Sequence, residues 1–209
     1  MTRYWNLKVL AVTEAFSWLL GITLLLIFFG QTGCSEIQRQ QDIDSFESSA
    51  AGSQPSFKDW APSRVDAYHA SLKQQASEVL AVLSIPNIKL DVPIYNGASD
   101  LNMDRGVARI AGTALPDEAG NFGIAGHRDG YFRALKDVKA GDYIHLKTYS
   151  GISRYRIDQT FITEPDNVDV LRDTDDTSIT LVTCYPFYFV GHAPQRYIVK
   201  ASLDGELVN

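Results

Sequence analysis

From Val79 onward the chain is divided into short runs of β-branched and aromatic residues, each closed by a turn signal. The runs are Val79–Ile85, Ile88–Tyr95, Gly106–Ile110, Phe122–Ala125, Asp142–Thr148, Ser153–Ile162, Ser178–Thr183 and Gln195–Ala201. Between them stand Pro86-Asn87, Asn96-Gly97, Asp117–Gly120, Ala140-Gly141 and Ser150-Gly151. Glycine supplies positive φ, proline withholds a ladder donor, and Asn or Asp tolerates the left-handed region, so each break turns the backbone. Short strands at this spacing predict an all-β fold, a closed or nearly closed antiparallel barrel of eight strands. Closure removes exposed edges and gathers the loops at two rims, where a site can form. Phe132–Val138 has room for one helical turn, and no internal repeat is visible.

Ahead of the strands the period changes. Ser63-Arg-Val-Asp66 has the form of a capping box directly after Pro62, and Val65, Tyr68, Leu72 and Ala76 recur at helical spacing. This predicts a short amphipathic helix ending near Ser77, with Trp60 pinning it to the strands. His69 falls on that helix with no other ligand-type residue spaced to join it, so it reads as an exposed or packing histidine. Residues 35–62 are rich in Gln, Ser, Asp, Gly and Pro, too polar to bury a core, and read as a flexible linker.

The first 34 residues carry a different signal. Ala15–Gly30 is apolar apart from Ser17 and Thr23, and adding Val9–Val12 extends the stretch to the ~20 residues that cross a bilayer core. Arg3 and Lys8 precede it and Glu36 is the first charge after it, so the positive-inside rule puts the N-terminus in the cytoplasm and the rest outside. Glu14 reads as an interfacial residue. A cleaved signal peptide is the competing reading, opposed by the length of the apolar core and the lack of an A-x-A-like site. Lipidation of Cys34 in Thr32-Gly33-Cys34 is another, weakened by Gln31 where such a site usually has Leu. The predicted organisation is a cytoplasmic stub and single-pass transmembrane anchor over 1–34, the linker over 35–62, and an extracytoplasmic domain with its N-terminal helix over 63–209.

Composition narrows the function classes. A formal net charge of −6 opposes binding to nucleic-acid phosphates, which needs clustered Lys and Arg. Two cysteines cannot form a disulfide framework. With 45% hydrophobic and 21% charged residues, a wholly disordered or fibrous chain is excluded.

Three residues have chemical potential. Cys184, in Thr180-Leu-Val-Thr-Cys184-Tyr-Pro186, ends an apolar strand where it emerges into a loop. A thiol there is half shielded, which suits a nucleophile, although position alone fits a small buried core residue equally well. His127 lies in Gly126-His127-Arg128-Asp129-Gly130, where glycines leave room for another molecule to approach. It is a plausible proton shuttle, and taken alone also a solvated loop histidine. Arg196 follows Cys184 on the next strand, where a cation can lower a thiol pKa or hold an oxyanion; alone it reads as a solvated face.

The three together, in the order His, Cys, Arg, resemble the sortases. The resemblance rests on the Thr180–Cys184 strand, the Gly126-His127 motif after a short strand, and Arg196-Tyr-Ile-Val199 closing the barrel; it spans about residues 79–202. The string from Cys184 to Val199 looks most like the class D branch. The resemblance implies an eight-stranded sortase-type β-barrel over the catalytic domain, residues 63–209, and a cysteine transpeptidase. Cys184 would attack the Thr carbonyl of an LPXTG-like signal on a secreted protein, His127 would act as general acid and base, and Arg196 would steady substrate and oxyanion. Thr183, Tyr185 and Phe187 would line the substrate groove, with packing beneath the loop an equal alternative for the aromatics. Partners implied are the secreted substrate, an amine acceptor from peptidoglycan or a Lys of another subunit, and the membrane. His192 is the rival base, and His145 reads as structural. No metal ligand or required cofactor is implied. Some sortases bind Ca²⁺, and Glu164, Asp166, Asp169, Asp173, Asp175 and Asp176, with Asp117 and Glu118, could supply oxygens, but a solvated acidic loop is the preferred reading.

Other classes fit less well. An L,D-transpeptidase has Gly before its Cys and Arg two residues after; here Thr183 and Pro186 stand there. Papain-like peptidases place Cys before His in the chain. A membrane-tethered barrel that only binds a peptide or glycan would need no thiol, so alkylating Cys184 separates it from an enzyme.

Overall fold

The computed structural model describes residues 20–23, 55–189 and 191–207. The chain divides into two compact units, Met1–Ser45 and Phe46–Asn209. In the first only residues 20–23 are described, and they are helical. The rest of the expected anchor, Cys34 and most of the expected linker lie outside the described residues. No helix among the described residues is long and apolar enough to cross a membrane.

The second unit is a barrel. Strands β1 (Val79–Ile85), β2 (Leu90–Tyr95), β3 (Val107–Arg109), β4 (Asn121–Ala125), β5 (Tyr143–Lys147), β6 (Ile152–Thr163), β7 (Ser178–Tyr185) and β8 (Gln195–Leu207) close in the order β1-β2-β3-β4-β7-β8-β6-β5. All eight predicted strands are present. The all-antiparallel expectation is corrected, because β2–β3 and β4–β7 run parallel. Parallel neighbours need a connection long enough to return the chain to the starting end. Between β2 and β3 that return is a short helix the turn-based reading did not contain; between β4 and β7 it is the β5–β6 hairpin and its loops.

Strand alternation sorts the side chains. On β4, Phe122 and Ile124 face the interior, and on β7 so do Ile179 and Leu181, joining Leu83, Ile94 and Leu146 in a buried core. Each such side chain fully removed from water contributes about 1.5–3 kcal/mol. Thr180, Val182 and Cys184 alternate to the outer face. The second strand starts at Leu90 rather than Ile88, because Pro86–Ile88 form a 3₁₀ turn and Lys89 takes φ +51°. β8 continues past Ala201 to Leu207 because β6 pairs with it along its whole length.

Helix α1 (Pro62–Ser71) precedes the barrel and α2 (Asp100–Arg105) joins β2 to β3. The expected capping box does not form. Ala61 is the N-cap without a side-chain bond, and Pro62 occupies the first position, where a missing N–H costs nothing. The helix stops at Ser71, and Leu72 is 46% exposed, so the apolar stripe does not extend to Ala76. Trp60 packs as expected, edge-on to Tyr131 with ring centroids 4.7 Å apart and against the core. Tyr131–Asp137, a 3₁₀ segment, buries Phe132 and Leu135 completely.

Candidate active site

Three adjacent strands, β4, β7 and β8, end at one rim. Cys184 on β7 lies directly opposite Arg196 on β8, and opposed residues share a face with Cβ atoms about 4.5–5.5 Å apart. β4 and β7 pair in parallel up to Ala125↔Val182. Just beyond, the Gly126 N–H donates to the Val182 carbonyl at 3.2 Å, and the Thr183 hydroxyl donates to the Gly126 carbonyl at 2.7 Å. His127 therefore leaves β4 at the level of Cys184, next to the end of β7.

The face is set by Gly126. A Cβ there would lie 2.7 Å from the Phe132 ring and 2.9 Å from Val107, so position 126 points into the core and position 127 away from it. Any larger residue at 126 would displace the strand that carries the histidine. Imidazole, thiol and guanidinium are each half-buried on the outer side of the same rim. Arg196 donates through Nη1 to the carbonyls of Gln195 (3.0 Å) and Ala193 (3.4 Å), which lays its side chain along the β7–β8 loop.

His127 has charged neighbours. Its Nε2 lies 3.6 Å from Asp104 Oδ1, and Arg64 bonds both Asp104 and Asp129. Burial, and next the Arg64 guanidinium, hold the imidazole pKa below its ordinary value; Asp129, Asp104 and Asp100 pull less strongly the other way. The shift favours the neutral ring, the form able to accept a proton.

Two loops border the outer face. In the β6–β7 loop a 3₁₀ turn, Val168–Leu171, is fastened by Asn121, which is 1% exposed. Asn121 donates to the carbonyls of Val170 (3.2 Å) and Arg172 (3.1 Å) and accepts from the Thr180 hydroxyl (2.8 Å). The β7–β8 loop is held through Arg128, which donates to the carbonyls of Pro186 (3.3 Å) and Gly191 (2.6 Å) and lies 5.9 Å from the Phe189 ring centroid. Arg133 sits 4.9 Å from that of Tyr188. Tyr188 is 69% exposed.

The residues expected to line a substrate groove are placed differently. Thr183 is buried on the inner face, the opposite side from Cys184, and its hydroxyl serves the β4–β7 seam. Phe187 is 7% exposed and packs on Tyr197 (5.2 Å) and Tyr185 (5.8 Å), so this aromatic set closes the end of the core. Packing beneath the loop, the alternative left open for them, matches these contacts. Tyr188 and Phe189 are the aromatics of that loop left exposed. His192 is exposed in the β7–β8 loop, His145 lies within β5, and exposed His69 rests 5.5 Å from the Phe57 ring.

Four of the acidic residues are engaged in local bonds. Asp173 accepts from the Asn121 and Thr174 backbone N–H groups, Asp169 pairs with Arg172, Asp117 accepts from Thr148, and Glu118 accepts from the Leu115 N–H. Among the described residues no group of three or more His, Cys, Asp or Glu could hold a metal ion.

Arg64, Asp104, Asn121 and Arg128 escaped the reading of the sequence. Arg128 adjoins the histidine and was within reach. Asp104 was not, because its helix was unpredicted.

Comparison with known proteins identifies relatives in sequence and in fold. A family model described as the Sortase domain matches residues 83–204. Sortase D of Bacillus subtilis is 34% identical over 131 residues, which are 62% of this chain and 66% of that protein, just under two thirds of its length. The solved Sortase D5 transpeptidase of Clostridium perfringens aligns with a TM-score of 0.59 and 27% identity, covering 80% of this chain and 98% of that one. Sortase E1 of Streptomyces coelicolor, solved with a tripeptide in its active site, aligns with a TM-score of 0.55 and 30% identity over 63% of this chain and 93% of that one.

Proposed function

The chain belongs to the sortase family, whose members are cysteine transpeptidases, and from that premise we propose that it is a membrane-anchored enzyme that cuts an LPXTG-like sorting signal and transfers the protein to an amine. The Cys184 thiol gives its proton to His127, and the thiolate attacks the Thr carbonyl. The tetrahedral oxyanion is steadied by Arg196. As it collapses, the C–N bond breaks, His127 returns the proton to the leaving amine, and a thioester to Cys184 remains. An incoming amine then loses a proton to His127 and attacks the thioester; the C–S bond breaks, the sulfur regains its proton, and a new amide is released. Splitting the transfer into two acyl exchanges lowers each barrier, and an oriented proton shuttle contributes about 10²–10⁴-fold. Every proton moves on His127 and every acyl group on Cys184, so no cofactor enters the reaction.

The observation that carries the reading is the opposition of Cys184 and Arg196 across β7–β8, with His127 leaving β4 at the same rim. The proposed acceptor is a peptidoglycan amine or the Lys of another protein subunit. The proposed organisation is the anchor over 1–34, the linker over 35–62 and the extracytoplasmic catalytic domain over 63–209.

The test is hydroxylamine trapping. The full-length chain, mixed with an LPXTG-like peptide and hydroxylamine, is expected to release a peptide hydroxamate, and Cys184→Ala to release none. A folded wild type yielding no hydroxamate across a panel of related pentapeptides would overturn the assignment.

A further inference from the structure

We propose that Asp104 is a positioning residue for His127 and that Arg64, from the helix ahead of the barrel, holds it in place, which makes α1 part of the acid–base apparatus. The inference rests on the reading of His127 as the proton shuttle.

Helix α2 is fixed before it presents its carboxylate. Ser99 caps it by accepting from the Asn102 N–H. The buried Asn102 side chain donates to Ser77 Oγ (3.1 Å) and the carbonyls of Asn96 (3.1 Å) and Gly97 (2.7 Å), and accepts from the Ser77 N–H (3.2 Å). Two residues on, Asp104 Oδ1 serves two cations or potential cations, the Arg64 Nη1 and, at 3.6 Å, His127 Nε2.

Arg64 is anchored as firmly. Its Nε donates to Asp129 Oδ1 at 3.1 Å, and the Ala61 N–H donates to the Asp129 carbonyl at 3.1 Å. Its stem crosses Gly130, where a Cβ would lie 3.2 Å from Arg64 Cγ. The Arg64 and Asp104 side chains are only about one-fifth exposed, at 19% and 21%, so solvent and salt screen the pair weakly.

The chemistry follows from charge order. A carboxylate 3.6 Å from Nε2, beyond hydrogen-bond distance, favours the ring proton on that nitrogen through its charge, which leaves Nδ1 as the atom to exchange a proton with thiol and amine. The carboxylate also favours the protonated imidazole. Burial opposes that first, and Arg64, bonded to the same oxygen, opposes it second, so Asp104 orients the ring without locking it charged. The charged and titratable groups around the ring are Arg64 from α1, Asp100 and Asp104 from α2, Asp129 from its own loop, and, at the shared rim, Cys184 of β7 and Arg196 of β8.

Because Asp104 and Arg64 act on the imidazole with opposite sign, their loss gives opposite results. The measurement is an NMR titration of the His127 ring in the full-length, histidine-labelled chain. Asp104→Asn is expected to move the titration to lower pH, Arg64→Ala to higher pH, and Arg64→Lys to leave it near wild type. Asp104→Asn is also expected to lower kcat for hydroxamate formation on the order of tenfold, part of what a positioned proton shuttle supplies, with KM for the peptide nearly unchanged. A ring that titrates alike in all four proteins, or moves the same way in Asp104→Asn and Arg64→Ala, overturns the proposal whatever the activity. Opposite shifts in a chain whose wild type makes no hydroxamate would support the network and strike the transpeptidase reading instead. Both Arg64→Lys and Asp104→Asn preserve shape, so a folding defect in Arg64→Ala leaves two variants to decide.

Discussion

The loops on either side of β7 are held by opposite means. The β6–β7 turn is tied down from within: Asn121 is buried beneath it and joins two of its carbonyls to Thr180 on the strand below. The β7–β8 loop is held from the side, by Arg128 and Arg133 reaching out from the His127 segment to two carbonyls and two exposed aromatic rings. Buried polar bonds are costly to leave unmade, whereas contacts at the surface compete with water. One wall of the site is therefore fixed and the other adjustable, and the adjustable one carries Tyr188 and Phe189. In the proposed reaction the rigid side would set the register of the peptide and the compliant side would close over its different residues.

Asn121→Ala should separate the walls most. It removes the donor to two carbonyls and the acceptor of the Thr180 hydroxyl, which keeps only a 3.5 Å contact to the Val170 carbonyl, and about 3 kcal/mol of stability should be lost, read as a lowered midpoint in urea. An unchanged midpoint would mean water replaces the amide and the fixed wall is not fixed from within. Thr180→Val comes next, at about 1–2 kcal/mol, since only the Asn121 oxygen loses its partner. Arg128→Ala should cost about 1 kcal/mol or less but raise KM for the peptide several-fold more than it lowers kcat, because it loosens the wall without touching the reacting atoms. Loss of the Arg133–Tyr188 contact should have the smallest effect, about 0.5 kcal/mol, read as the coupling between Arg133→Ala and Tyr188→Ala because Arg133 also donates to the Asp59 and Arg128 carbonyls, and salt should weaken this contact more than the Asn121 bonds. If Arg128→Ala destabilised the fold as much as Asn121→Ala, the contrast between the loops would fail.

The same contrast explains what could be read from the sequence. Eight strands were legible because alternation and turn chemistry act locally, and Cys184, His127 and Arg196 because each sits in a local context that matches a family pattern. The fixed wall was not legible. Asn121 and Thr180 lie far apart in the chain and meet only through the parallel β4–β7 pair, and nothing within β4 foretells that β7 will be its neighbour. Asp104 stayed hidden because α2 is a single short helix between strands, below the length at which helical periodicity is visible. Thr183 was assigned by nearness to Cys184 in sequence, but in a strand the next residue faces the other side of the sheet, and Phe187, read as a loop aromatic with packing left open, folds back onto Tyr185 and Tyr197.

The most direct test of the account is the intact mass of the full-length chain after mixing with an LPXTG-like peptide and no amine acceptor. The account predicts a gain equal to the peptide's acyl part ending at Thr, located on Cys184, removed by hydroxylamine and absent from Cys184→Ala. A wild-type mass that never changes, or an adduct that persists in Cys184→Ala, would contradict it.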